Sequence, residues 1–307
     1  MHNAQGQHKL IKISLKIAAT QPVAWPHFAG STLRGAFGRA LREAACVTRQ
    51  PRCDGCALRL HCSYGVVFDP LPPVQPLHPS FRNGLPLYVV QPPAMGACRL
   101  DAGMEQAFSI LFFPGSNQHL GLLPLVLQRT VAQQLNRPGL YKLISTSKEE
   151  ISIEPVSTTP TQPTADQSAT QLTLRWRTPF RVQQNGSPIS NPQALDAKVF
   201  VRALLRRQMQ WCQITCQPPP EPEPLLQAAT HCRLDTNNLH WHDMQRRNSI
   251  LNEKIPLSGL VGAATLHGPK WAISSLVSLL KLAEQIHVGK ETVMGLGQFA
   301  ASQPEPG

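Results

Sequence analysis

Acidic residues are scarce in this 307-residue chain: 18 Asp and Glu stand against 29 Lys and Arg, giving a formal charge of +11. Charged residues of either sign make up only 15% of the chain, so the basic excess arises from missing acids more than from dense cationic runs. No block of five like charges occurs, which excludes a disordered basic tail as the binding element. Such a balance favours a polyanionic partner, nucleic acid before an anionic membrane surface. Long apolar runs are also missing. The richest, near Ile273 to Leu282, is too short and too interrupted to span a bilayer, and the N-terminal M-H-N-A-Q-G-Q-H-K lacks the apolar core of a signal peptide. The expectation is a soluble, cytoplasmic protein with no membrane partner, in which eight cysteines serve as thiols or metal ligands and not as a disulfide framework.

What is present is a pattern of alternating elements. Lys9–Thr20 alternates Leu10, Ile11, Ile13, Leu15 and Ile17 with Lys12, Ser14 and Lys16, which predicts a strand with one lysine-bearing face. Gly30 and Ser31 open a helix that turns Leu33, Phe37, Ala40, Leu41 and Ala44 to a core and leaves Arg34, Arg39 and Arg42 off that stripe. Gly35 and Gly38 each cost such a helix about 1 kcal/mol against alanine, so it should pack closely on something. A strand near Leu87 to Gln91, an apolar strand at Glu105–Phe113, a helix over Leu120–Leu135 and a strand pair over Tyr141–Glu154 complete the order β, α, β, β, α, β.

Residues 156–170 have no apolar periodicity and read as a linker, after which the order begins again. Gln171–Arg177 alternates Leu172, Leu174 and Trp176 with Thr173, Arg175 and Arg177. Leu195–Thr215 is a helix on which Lys198, Arg202 and Arg206 recur at i, i+4 and i+8 as a basic stripe. That stripe and the outward strand arginines could converge into a phosphate track. A polyproline spacer, P-P-P-E-P-E-P, comes next, then strands at Asn238–Met244 and Gly259–Leu266, a helix from Trp271, and a final strand through Gly289, Gly295 and Gly297. The fold class is therefore α+β, as tandem ferredoxin-like (RRM-like) domains: residues 1–155, then the linker, then residues 171–307 with a glycine-rich loop. The aromatic pair that RNA-recognition modules use for stacking is missing.

Cys46, Cys53, Cys56 and Cys62 fall within seventeen residues and include one C-x-x-C, the thiolate spacing of a structural tetrahedral metal site in a loop insertion at residues 46–62. Zinc is the default, an iron–sulfur cluster also takes four thiolates, and four free thiols are the metal-free alternative. A closed four-thiolate set leaves no position for water, so the site would be scaffolding.

The stretch Ser258–Phe299 carries G-L-V-G, then H-V-G-K, T and G-L-G-Q-F. In that order these resemble the signature of the CRISPR-associated RAMP-superfamily endoribonucleases that cut precursor CRISPR RNA within its repeats. Arg247-Asn248-Ser249 resembles the basic segment that precedes G-L-V-G in that family, and L-R-G-A-F-G with the insert ending C-S-Y-G-V-V-F-D-P resembles one branch of it. The resemblance implies cleavage without a catalytic metal, by attack of the ribose 2′-hydroxyl on the adjacent phosphate, leaving a 2′,3′-cyclic phosphate. It implies RNA contacts from Gly289, Gly295, Gly297, Arg34, Arg247 and the stripe Lys198, Arg202 and Arg206. His27, just before the first helix, and His287 in the C-terminal motif are the candidate proton-transfer residues, with Lys290 as a charge-stabilising member of the site. His78, His119 and His240 read as surface or loop residues. The implied partners are CRISPR repeat RNA and, as further candidates, other CRISPR effector subunits. A non-catalytic RNA-binding subunit of an effector complex is the competing reading. A DNA-binding regulator built on the cysteine insert ranks lower, because the insert lacks C-x2-C…C-x2-C ribbon spacing.

Overall fold

The computed structural model describes residues 8–79, 81–135, 137–156, 169–184, 186–248 and 253–303. The chain divides into two compact units. One comprises Met1–Ile153 with Gln213–Gln217 and Val293–Gly295; the other comprises Glu154–Cys212, Pro218–Thr292 and Leu296–Gly307.

In the first unit, β1 (His8–Ala19) is followed by β2 (Val23–Trp25), α1 (Gly30–Ala45), β3 (Tyr88–Gln91), β4 (Cys98–Leu100), β5 (Glu105–Phe112), α2 (Leu123–Arg129) and β6 (Tyr141–Ile153). The principal sheet is antiparallel in the order β3-β5-β1-β6, and β2 pairs with β4 in a separate ribbon. Alternation along β1 sends Ile11, Ile13, Leu15 and Ile17 into a core shared with Leu33, Phe37 and Leu41 of α1 and Val126 of α2. The opposite face is polar, with Ser14 Oγ 2.9 Å from Ser109 Oγ and Lys16 paired to Glu105 at 3.0 Å. Tyr141–Ile153, expected as two strands, is one strand that follows β1 along its length with a single bulge between Lys16 and Ile17. Nothing in K-L-I-S-T-S-K-E-E turns the chain, since Gly, Pro and Asn are all missing from it.

In the second unit, β7 (Ala169–Phe180) leads through the short hairpin β8 (Gln183–Gln184) and β9 (Ser187–Pro188) to α3 (Ala197–Thr215) and α4 (Pro222–Thr230). Next come β10 (Arg233–Asp235), β11 (Leu239–His242), the hairpin β12 (Gln245–Asn248) and β13 (Glu253–Pro256), β14 (Gly259–Pro269), α5 (Lys270–Ile286) and β15 (Phe299–Ser302). The sheet runs β10-β14-β7-β15, with β11 also on β14. Counting principal strands in chain order, both sheets run second, third, first, fourth, the arrangement that a duplicated split βαβ unit requires. Trp176 stacks on Phe180 and Phe299, and Phe200 of α3 meets all three edge-on or nearly so, which fixes α3 against one face of this sheet.

Three expectations change here. Most of the linker at 156–170 lies outside the described residues, while Val156 packs on the second core and Ala169 already belongs to β7. The polyproline spacer ends in a helix, because Pro222 sits in the first turn of α4, where its fixed φ suits the helix and its missing N–H costs nothing. The glycine cluster is a loop and not a strand: Gly289, Gly295 and Gly297 have φ of 97°, 91° and 72°, which an extended strand cannot accommodate. Among the described residues no helix is long and apolar enough to cross a membrane.

The two glycines inside α1 separate cleanly. A methyl at Gly38 would strike the Phe68 ring, whereas at Gly35 only Arg39 Nη1 is near, at 3.4 Å. Gly35→Ala should therefore stabilise the protein by about 0.5–1 kcal/mol and Gly38→Ala should destabilise it. Urea unfolding of the two variants checks this; equal shifts of one sign would contradict the packing.

Candidate nucleic-acid interface

The glycine loop owes its shape to β7. Lys290 N donates to Arg181 O (2.9 Å), Gly297 N to Pro179 O (2.9 Å), Gln298 N to Thr178 Oγ1 (2.9 Å), and Val288 N to Gly297 O (3.1 Å). A side chain at Gly289 would lie 2.6 Å from Arg181 O, and one at Gly297 would run into the Val288 backbone. The close approach that glycine permits here is thus between the chain's own segments. Gly295 belongs to the first unit, where a Cβ would meet Val90 O at 2.7 Å and the Pro92 ring. What the loop offers outward is its side chains, Lys290 half-buried and Glu291 exposed.

Those side chains meet a basic helix face. Lys198 and Arg202 are exposed and Arg206 half-buried along α3, and Arg206 comes close enough to Lys290 for charge repulsion. Burial first, then Arg206 and Arg181, push the Lys290 ammonium below its ordinary pKa, with Glu291 opposing. An anion placed beside the cluster would relieve this crowding. The strand arginines take no part. Leu174 and Trp176 face α3, so alternation puts Arg175 and Arg177 on the other side of the sheet, and the expected convergence with the helix stripe does not occur. Arg181, one residue past β7, adds its charge near Lys290 while its guanidinium donates to the Pro256 and Ser258 carbonyls. Arg247 lies on β12, but its side chain is outside the described ones, as is Ser249.

His287 sits beneath the loop, fully buried, at φ 63° and ψ 170°, a region otherwise used almost only by glycine. Neither ring nitrogen has a hydrogen-bond partner among the described residues; the Leu296 backbone lies near and favours protonation but is out of hydrogen-bonding geometry. Burial first, then the neighbouring Arg207, push its pKa down to about 3. Arg207 is itself buried, donating from Nε (3.0 Å) and Nη2 (2.6 Å) to Ile286 O at the end of α5, and burial lowers it to about 9. A buried cation beside a buried imidazole keeps the imidazole neutral. Its place on the helix was a readable signal, since Arg207 falls between Leu204 and Trp211 on the apolar face.

Residues 8–167 match the family model AF_1859_N, an N-terminal domain, and residues 174–299 match that of the CRISPR-associated endoribonuclease Cas6. The chain belongs to the CRISPR-associated RAMP-type proteins. A chain of a partial Cas6-RT-Cas1–Cas2 complex is similar in structure at a TM-score of 0.60 and 11% identity over 98% of this chain. This chain covers 47% of that longer one, about half its length. Thermus thermophilus Cas6 (TTHB231) is similar at a TM-score of 0.52 and 15% identity, over 97% of this chain and all of that one. Cas6 (TTHB231) in its product complex gives 0.55 and 16%, over 95% and 100%. At these identities the likeness is one of fold. No curated protein sequence matches the chain.

The first unit of this RAMP-type protein holds the remaining candidates. His27 is exposed after β2, and its carbonyl accepts from Gly96 N at 2.9 Å. Arg34 lies half-buried over the Phe68 ring, 4.6 Å from its centroid, on a stack that continues to Tyr64 and Tyr88; its Nε is buried with no acceptor among the described residues. His119, expected at the surface or in a loop, lies in the short 3-10 turn Asn117–Leu122 and is buried there with Nδ1 3.1 Å from Ser63 Oγ.

The four cysteines of the insert line one cavity of about 290 Å³. Thr48 Oγ1 stands 3.7 Å from Cys46 Sγ and 3.9 Å from Cys56 Sγ, while Cys62 Sγ is 3.8 Å from Ala45 O. Arg42 donates to the Gln50 and Pro51 carbonyls, and Arg59 pairs with Asp54 (3.2 Å) and Asp69 (3.1 Å), so cations hold the loop around the thiols. Hydrogen bonding from Thr48 foremost lowers the Cys46 thiol, and burial raises that of Cys53. The donor set and its shared cavity suit a four-thiolate metal, but among the described residues no three His, Cys, Asp or Glu side chains are gathered closely enough to hold an ion.

The buried histidine predicts a pH dependence. With a folded pKa near 3 against an ordinary 6.5, the unfolded chain binds the extra proton between these values. This contribution to stability is full above about pH 6.5 and is lost as pH falls toward 3. The melting temperature should fall over that window, and His287→Asn should flatten part of the slope; an unaltered slope would contradict the buried neutral ring.

Proposed function

We propose that this chain is an endoribonuclease that cuts precursor CRISPR RNA within its repeats, without a catalytic metal, to give guide RNAs for antiviral defence. The observation that carries the proposal is the cluster of Arg206 and Lys290, presented by α3 and by a glycine loop held to β7, in a chain of the RAMP type. A polyphosphate backbone laid along Lys198, Arg202 and Arg206 reaches Lys290 at the loop, with Arg247 on the neighbouring hairpin. Gly289, Gly295 and Gly297 then contribute by shaping the loop, and their own close contacts are with protein backbone.

The reaction in this reading is an internal transesterification. The ribose 2′-oxygen loses its proton to a general base and bonds to phosphorus, and the 5′-oxygen of the next nucleotide leaves with a proton from a general acid. The products end in a 2′,3′-cyclic phosphate and a 5′-hydroxyl. Lys290 offers its charge to the developing phosphorane oxygens. His27 is the proton-transfer residue, being exposed. His287 is assigned to positioning: buried and neutral down to about pH 3, it cannot gain a proton near pH 7. His27→Ala should slow single-turnover cleavage of repeat RNA by about a hundredfold or more while leaving RNA affinity within a few-fold. Near-normal turnover would remove His27 from the mechanism.

The burial of one of the two candidate histidines favours, as a second reading, an RNA-binding RAMP subunit that does not cut and works with other CRISPR effector subunits. Binding of repeat RNA without cleavage by the wild-type chain would establish it.

In the same reading the cysteine insert holds a structural zinc or an iron–sulfur cluster through Cys46, Cys53, Cys56 and Cys62, supported by the cavity they share. Such a group, when bound, would lock the loop and take no part in cleavage. Metal analysis should find about one zinc, or one cluster with visible absorption, per chain, lost on replacing Cys53 and Cys56 with Ser. A metal-free, fully folded protein would overturn the assignment.

A further inference from the structure

Arg181 is read neither by the resemblance nor by the cation spacing, yet its main chain and side chain join two parts of the second unit. Its carbonyl accepts from Lys290 N at 2.9 Å and is the group that a side chain at Gly289 would strike. Its guanidinium reaches the hairpin root: Nη1 donates to Pro256 O at 3.1 Å and Ser258 O at 3.3 Å, the carbonyls on either side of Leu257. These two carbonyls are the root of the β12–β13 hairpin, which carries Arg246, Arg247 and the exposed Lys254.

Other bonds also hold that root, beside the ladder in which His242 pairs with Gly259 and Leu260 with Phe180. Leu257 N donates to Met244 O at 2.7 Å. Ser258 Oγ accepts from Met244 N at 3.1 Å and lies 3.2 Å from both Asp243 Oδ1 and Met244 O, to one of which it donates. Asp243 Oδ1 in turn accepts from Trp241 Nε1 at 3.0 Å. This network closes the hairpin on itself; Arg181 ties the closed hairpin to the end of β7, on which the glycine loop is also held. A cationic guanidinium bridging two carbonyls is stronger than a neutral pair and fixes direction as well as distance.

We infer that Arg181 is a positioning residue that sets the basic β12–β13 hairpin at a fixed offset from the glycine loop, so that both grip one RNA phosphodiester backbone. The inference rests on the RNA-binding reading above and adds to it the element that couples the two grips. A multi-point contact of this kind releases several counterions only while the hairpin keeps its place, so loosening it loses more than one charge's worth of salt dependence.

A double-mutant cycle on the full chain, with repeat RNA as the probe, tests this. Arg181→Gln should weaken RNA binding about tenfold, with a melting temperature within a few degrees of wild type, and should flatten the dependence of log Kd on log salt by more than one phosphate contact. Lys254→Gln should weaken binding a few-fold in the wild-type background and leave it unchanged in the Arg181→Gln background. Arg181→Lys, which keeps a cationic donor, should recover part of the loss. Additive effects of Arg181→Gln and Lys254→Gln would show a direct phosphate contact and overturn the positioning role, as would wild-type affinity for Arg181→Gln. If the wild-type chain fails to bind repeat RNA at all, the broader RNA-binding reading falls, and that result is separate from either outcome of the cycle.

Discussion

Everything proposed for the second unit depends on one backbone seam, the hydrogen bonds that hold the loop after α5 to the end of β7. Lys290 N on Arg181 O and Gly297 N on Pro179 O bring two main chains so close that Gly289 and Gly297 have no room for a side chain. Glycine is required there for a structural reason, and its consequence is functional: with the backbone committed inward, Lys290 is presented outward at a defined place. The strain at His287, in a φ/ψ region that costs on the order of 1–3 kcal/mol for a non-glycine residue, is part of the cost of turning α5 into that seam.

Adjacent arginines on α3 divide the labour. Arg207 faces inward, caps the Ile286 carbonyl and adds to the burial that keeps His287 neutral; Arg206, one residue earlier and so about 100° around the helix, faces the loop and crowds Lys290. The first stabilises the loop's base and the second charges its rim. In a chain poor in acids, Glu291 offsets Arg206 and Arg181 only in part at that rim, which is how a modest number of cations can serve a polyanionic ligand. In the first unit the same economy recurs: Arg42 and Arg59 fold the cysteine loop over its cavity, while Arg34 rests on the Phe68 ring.

The strands and the larger helices were legible because burial imposed their period: β1 through Ile11 to Ile17, α3 through Val199 to Trp211, α5 from Trp271. What could not be read follows from physics beyond periodicity. The single strand β6 depends on pairing along all of β1, a long-range choice to which Lys148 or Glu150 gives no clue. The helix α4 was hidden by its prolines, whose helix-starting role depends on position. At the site, Gly289 and Gly297 were expected to contact RNA and are found packed on protein backbone, and sequence does not say which of the two a glycine admits. His287 carries the right chemistry by type and is buried by the fold, whereas Arg181 shows its two-sided role only through its contacts.

The likeness of residues 174–299 to Cas6 is the ground for the proposed substrate class, and the geometry supplies a reason why the second unit should hold it. The central claim is that the chain alone both grips and cuts repeat RNA by internal transesterification. The most direct measurement incubates the purified wild-type chain with its own locus's repeat RNA in EDTA and determines the product ends. One cut within the repeat is expected, with a 2′,3′-cyclic phosphate on one fragment and a 5′-hydroxyl on the other. Intact RNA bound to the protein, or products that end in a 3′-hydroxyl and a 5′-phosphate, would contradict it.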